Sequence, residues 1–146
     1  MDKFEGKEVI INSPSSTIFS QFSDLTLLAN RLPQEYKEKV EVTPDTVSGD
    51  VQGMRMGLEI TERVPFSKVV MKPQNGFPFD FSLIFDMKES SVNQTSLKIS
   101  VESKMNFITK AMFGSKIQQI VDKISEQVAK GAAGNFSDIS DLTKEI

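Results

Sequence analysis

Phe79-Asp80-Phe81-Ser82-Leu83-Ile84-Phe85-Asp86-Met87 places an apolar side chain at every odd position and a mostly polar one between. A repeat of two is that of an extended strand with one buried face and one wet face. The same pattern lies on both sides of this stretch. Upstream, Met54, Met56, Leu58 and Ile60 oppose Arg55, Glu59, Thr61 and Arg63, and residues 67–72 read as a strand carrying Val69 and Met71. Downstream, Leu97, Ile99, Val101 and Met105 oppose Lys98, Ser100, Glu102 and Lys104. Turn chemistry separates the strands: Pro65-Phe66, then Lys72-Pro73-Gln74-Asn75-Gly76 as a loop, then the polar run 89–94. Consecutive strands with one apolar face and short connections form an antiparallel sheet. A parallel sheet would show continuous apolar runs separated by helices.

Further out the period changes. Residues 3–12 end in Val9-Ile10-Ile11 and read as a strand, which Ser13-Pro14-Ser15-Ser16 breaks. Residues 17–22 and 25–32 read as two short helices, with Asp24 as the N-cap of the second and Pro33 as its stop. Val40 and Val42 begin another strand; Val47 and Val51 suggest one more, bent or ended by Gly49-Asp50. After Met105 the repeat returns to the helical one. Asn106 is the expected N-cap, and Ile117, Val121, Ile124 and Val128 form one stripe of a long amphipathic helix that closes near Gly131. Gly114 inside it marks a kink or a close approach. In the tail, 132–146, Phe136, Ile139, Leu142 and Ile146 recur at helical spacing and could form a short helix. The expectation is an α+β domain over residues 1–131, followed by that tail. Its curved antiparallel sheet of about six to seven strands wraps around a long C-terminal helix, because the apolar sheet face and the apolar helix stripe each need the other.

Composition narrows the chemistry. With 17 basic and 20 acidic residues the net charge is -3, which argues against a nucleic-acid partner. The chain has no cysteine and no histidine, so it lacks disulfides, thiol nucleophiles, the usual proton shuttle and the commonest metal ligands. No D-x-D-type loop, P-loop or G-x-G-x-x-G stretch occurs, and the expectation is no metal and no cofactor. The first residues show no signal-peptide pattern and no apolar run is long enough to span a bilayer, which suggests a cytoplasmic protein without membrane insertion.

The opening Val9-Ile10-Ile11-Asn12-Ser13-Pro14-Ser15-Ser16-Thr17-Ile18-Phe19, then Phe22-Ser23-Asp24 and residues 28–33, resembles that of the START-like, or helix-grip, superfamily of polyketide cyclase/dehydrase and lipid-transport proteins. Glu62-Arg63-Val64-Pro65 at a hairpin, the long alternating strands and the closing helix are similar too, and the likeness covers roughly residues 3–131. It implies the helix-grip fold, with an apolar ligand held between sheet and long helix; some members catalyse cyclisation or dehydration there.

The side chains expected to line such a cavity are Met54, Met56, Leu58, Met71, Phe79, Phe81, Leu83, Phe85, Leu97, Ile99 and Val101 from the sheet, and Met112, Phe113, Ile117, Ile120 and Val121 from the helix. Ile60, Val69, Met87, Met105 and Ile124 share the inner face. The same residues would equally fill a solid core, and the alternation does not separate the two. Three polar residues are candidate ligand contacts: Tyr36, the only tyrosine, and Glu62 and Ser103, which continue the inner parity of Ile60 and Val101. No two carboxylates share the inner face, so no catalytic residue is assigned. Three functions stay open: a carrier or sensor of a small apolar molecule; a cyclase or dehydrase, which would need Tyr36 or Glu62 inside the cavity; and a protein-interaction module or homodimer.

Overall fold

The alternating segments pair with one another as antiparallel neighbours. The computed structural model describes residues 2–30, 34–51, 53–75, 77 and 79–130. Its elements run β1 (Asp2–Glu5), β2 (Val9–Ile11), α1 (Ser15–Phe22), α2 (Leu25–Ala29), α3 (Gln34–Lys37), β3 (Val40–Val42), β4 (Thr46–Val51), β5 (Met54–Val64), β6 (Lys68–Asn75), β7 (Ser82–Ser91), β8 (Gln94–Ser103) and α4 (Phe107–Lys130). Eight strands form one sheet in the order β1-β8-β7-β6-β5-β4-β3, with β2 also on β8. The expected tail, 131–146, lies outside the described residues.

The N-terminal strand is split. β1 and β2 both pair with β8, and the link between them carries Gly6, whose N–H donates to the Ile99 carbonyl at 2.9 Å. Both expected N-caps hold. The Asp24 Oδ1 accepts from the Thr26 N–H at 2.9 Å, and the Asn106 Oδ1 accepts from the Thr109 N–H at 2.8 Å. The hairpin β7–β8 turns at Val92-Asn93, where Asn93 takes a φ of 59°, a conformation that asparagine tolerates well.

Three strand boundaries differ from the sequence reading. β4 continues through Gly49-Asp50 because β3 approaches there: a side chain at Gly49 would meet the Lys39 carbonyl oxygen at 3.0 Å. β6 continues through Pro73, which was expected in a loop. Beyond Met71 β6 pairs with β5 alone, so the missing proline N–H leaves no ladder bond unmade on the β7 side. Phe79 and Phe81 precede β7 rather than belong to it.

The core sits on one face of the sheet. At one end α1 and α2 pack over it: Ile18, Phe22 and Leu25 bury against Ile60, Val69, Phe85, Met87 and Leu97, with Val128 from the last turns of α4. The Phe22 and Phe85 rings lie 5.1 Å apart. The closest approach of α4 is to β1, β2 and β8.

Candidate functional site

The apolar face is fully covered at the α1–α2 end and only partly covered toward the other. Leu58 on β5 and Leu83 on β7 face inward by register, with Val47 opposite Leu58 and Val101 opposite Leu83, yet both are half-buried. So are Ile120 and Ile124 on α4 and Leu28 on α2. Inward side chains that solvent still reaches border space that protein atoms do not fill. Leu58, Leu83, Ile120 and Ile124 thus form a partly exposed apolar surface on the inner side of the sheet and α4.

An aromatic cluster lies at the other end of this face. Phe79 lies 5.4 Å from Phe113 of α4 and 5.7 Å from Phe81, and Phe81 lies 5.0 Å from Phe77, measured between ring centroids. These are ordinary distances for favourable aromatic contact. Beneath them Val101, Ile117 and Val121 are buried, with Phe4 and Met105 packed alongside. The Ser103 hydroxyl, itself buried, donates to the Asp80 carbonyl and ties this segment to the end of β8.

The expected lining residues divide into three groups. Met56, Met71, Phe85, Leu97, Ile99, Val101, Ile117 and Val121 are buried in the packed core. Leu58, Phe79, Phe81, Leu83, Phe113 and Ile120 are half-buried, and Phe79, Phe81 and Phe113 belong to the aromatic cluster. Met112 is 60% exposed and belongs to neither, since one step along the helix from Phe113 turns it about 100° away from the sheet. The side chains of Met54 and Tyr36 lie outside the described residues.

Glu62 faces away from the interior. Ile60 pairs with Met71 and Glu62 with Val70, so Thr61 is an extra residue and the strand bulges there. The bulge inverts the parity beyond it. Glu62 moves to the outer face and is exposed, while Arg63, opposite Val69, moves to the inner one. Arg63 then reaches the carbonyl of Ser23 at 2.9 Å, the carbonyl of Pro44 at 3.3 Å and the carboxylate of Asp45 at 2.5 Å, joining the α1–α2 corner to the β3–β4 turn. The sequence reading missed this residue because nothing in a one-dimensional alternation marks an inserted position. It also missed Phe77, which the run Phe77-Pro78-Phe79-Asp80-Phe81 does signal by parity.

The buried hydroxyls have partners inside the protein. Thr95 donates to the Ser13 carbonyl at 2.8 Å, Ser125 to the Val121 carbonyl at 2.8 Å, and Ser15 to the Glu89 carboxylate at 2.9 Å. The charged groups with displaced pKa values lie at the surface. A hydrogen bond from Lys110 holds the Asp2 carboxyl below its usual range, one from Lys98 does the same for Glu5, and Glu5 in turn raises Lys98. Two open concavities lie among these charges. One of about 600 Å³ is lined by Glu5, Gly6, Lys7, Glu8, Lys98, Asp122 and Glu126. The other, about 370 Å³, lies at Asp2, Lys104, Met105 and Asn106. Both are solvated surface hollows among charges, not the apolar enclosure the sequence suggested between sheet and helix. Among the described residues no three potential ligands cluster in a way that would hold a metal ion.

No family model matches the chain, and no curated protein matches it in sequence. Solved structures do match in fold. A START superfamily protein from Mycobacterium smegmatis is 16% identical over 88% of this chain and 97% of that one, with a TM-score of 0.54. The Aha1 dimer from Colwellia psychrerythraea is 12% identical over 90% of this chain and 100% of that one, with a TM-score of 0.55. An HSP90 activator from Plasmodium falciparum is 17% identical over 77% of this chain and 86% of that one, with a TM-score of 0.52. The likeness spans most of each chain, and with its antiparallel sheet, two short helices after the N-terminal strands and long closing helix the chain has the START-like helix-grip fold.

Proposed function

We propose that the protein binds one small apolar molecule in a cleft between α4 and the β4–β5 side of the sheet, as a carrier or sensor. The observation that carries this reading is the half-exposure of Leu58 and Leu83, two inward-facing leucines in a sheet whose other inner positions are mostly sealed. A ligand that covered them would gain roughly 25 cal/mol for each Å² of apolar surface removed from water. The buried hydroxyls nearby are engaged with the protein's own backbone, so shape and apolar contact would select the ligand more than hydrogen bonding.

Native mass spectrometry of freshly purified protein, followed by organic extraction, tests the reading. A discrete adduct that disappears on denaturation, at one molecule per chain, is the expected result. A clean apo mass, together with no saturable binding of a fluorescent apolar probe, would overturn it. The cyclase or dehydrase alternative has lost one of its two candidate groups, since Glu62 faces outward. A protein-interaction module is the second reading. It rests on Phe66, which is 54% exposed at the β5–β6 turn with a φ of 63°, even though its ring meets the Phe19 ring edge-on at 5.9 Å.

A further inference from the structure

The first two turns of α4 carry an apolar face that no core cluster of the described residues uses. Phe107 is 88% exposed, Ile108 67% and Met112 60%. With Ala111 they lie on one arc of the helix, opposite the arc of Phe113, Ile117 and Val121 that packs on the sheet. Single exposed apolar residues need no explanation, but a contiguous group of this kind marks a surface that meets something else.

The charge around it narrows what that is. In a chain of net charge -3, residues 104–121 hold Lys104, Lys110 and Lys116 and no carboxylate. Lys110 is engaged by Asp2 at 2.8 Å, whereas Lys104 and Lys116 make no ion pair among the described residues. The exposed Asp80 and the Lys3-paired Glu102 are the other acidic groups at this end. A second copy of the chain is disfavoured, because a two-fold contact would set each lysine patch against its own duplicate. Projecting apolar side chains beside unpaired lysines match an anionic bilayer surface, which closes around the former and attracts the latter.

We propose that Phe107, Ile108 and Met112 seat in the interfacial layer of an anionic membrane, with Lys104 and Lys116 at the level of the headgroups. The protein would lie on the membrane without crossing it; among the described residues no helix is long and apolar enough to cross. Phe113, next to Met112, packs on the opposite side of α4, so docking leaves the aromatic cluster facing away from the lipid. The docking does not depend on the cleft being occupied, and it is read without a cleft ligand.

The chain contains no tryptophan, so Phe107→Trp supplies a clean reporter. The full chain is mixed with vesicles of phosphatidylcholine alone or of phosphatidylcholine with phosphatidylglycerol, and flotation and emission are measured. The expected result is flotation with the anionic vesicles only, weakened by salt, with a blue shift of the Phe107→Trp emission. Lys104→Gln with Lys116→Gln should weaken binding roughly tenfold to thirtyfold. Ile108→Glu should abolish it while leaving thermal unfolding unchanged, because the residue is exposed. No flotation with anionic vesicles would overturn the proposal, as would flotation indifferent to Ile108→Glu. A blue shift that grows with protein concentration in the absence of lipid would overturn it too, assigning the face to a second copy. So would a blue shift produced by a soluble polyanionic protein but not by vesicles.

Discussion

A methyl group at Gly6 would stand 2.3 Å from the Ser125 hydroxyl, 3.1 Å from a Val121 methyl and 3.2 Å from the Ile99 carbonyl oxygen. The β1–β2 link and α4 touch there through the absence of a side chain. Ser125 is itself anchored on the Val121 carbonyl, so it has little freedom to yield. Gly6→Ala should cost about 1–3 kcal/mol, the range for overpacking a filled interior. Adding Ser125→Ala should recover part of that loss, and urea unfolding of the two single variants and the double variant measures the coupling. Two ion-paired carboxylates of β1 contribute a pH dependence to stability. Asp2 and Glu5 have folded pKa values below their usual 3.8 and 4.5, held down by Lys110 and Lys98 respectively. A depressed carboxylate stabilises the folded state above its unfolded pKa, and that contribution is lost as pH falls through the folded value. Lys98 is the mirror case: its raised pKa stabilises below about 10.5 and the effect fades as pH rises beyond it. Stability should therefore fall as pH drops below 4.5, and less steeply in Lys98→Gln, where Glu5 loses the larger of its two cationic partners. Equal slopes in urea midpoints against pH would contradict this.

Among the elements, α4 shows both what the amino-acid order reveals and what it hides. Its start at Asn106 and its stripe through Ile117, Val121 and Val128 follow directly from spacing, because cap chemistry and helical period are local properties. Gly114 was expected to mark a kink or a close approach. A side chain there would meet nothing nearer than Lys110 Cγ at 3.6 Å and the Phe4 ring at 3.8 Å, ordinary contact distances. Gly114→Ala should thus stabilise by up to about 1 kcal/mol from helix propensity alone, read as a rise in the thermal midpoint. The strands divide in the same way. Alternation identified β5, β7 and β8 because each repeats for many residues on one parity. It failed at Thr61, where one bulged residue exchanged the faces of Glu62 and Arg63, and at Pro73, where the strand runs on beyond its second partner. Bulges and partner lengths are set between strands, so a single strand's sequence does not carry them. The partial exposure of two inner leucines is hidden for the same reason: Leu58 and Leu83 look like core residues by parity, and how far other elements cover them is set between elements, not within one strand.

At the scale of the whole molecule, an unfilled cleft and a packed core predict opposite responses to a larger side chain. In a filled interior, leucine to tryptophan adds volume that has nowhere to go and costs about 1–3 kcal/mol or more. Beside empty apolar space, the added ring covers surface that water now reaches and recovers roughly 25 cal/mol for each Å² it buries. Leu83 is the position for this comparison: it faces inward between Met71 and Val101, and it adjoins both the sealed core and the aromatic end. Leu83→Trp should leave the thermal midpoint unchanged or raise it, and its emission should be blue-shifted, a clear reading in a chain with no other tryptophan. Val69→Trp, at a fully buried position on the neighbouring strand, serves as the contrast and should unfold well below the parent protein. The same Leu83→Trp substitution should weaken uptake of an apolar ligand, because ring and ligand compete for one space. A Leu83→Trp variant that unfolds as early as Val69→Trp would show that the face is solid and would remove the cleft as a binding site. One that holds its stability while losing the ligand would place that ligand between α4 and the β4–β5 side of the sheet.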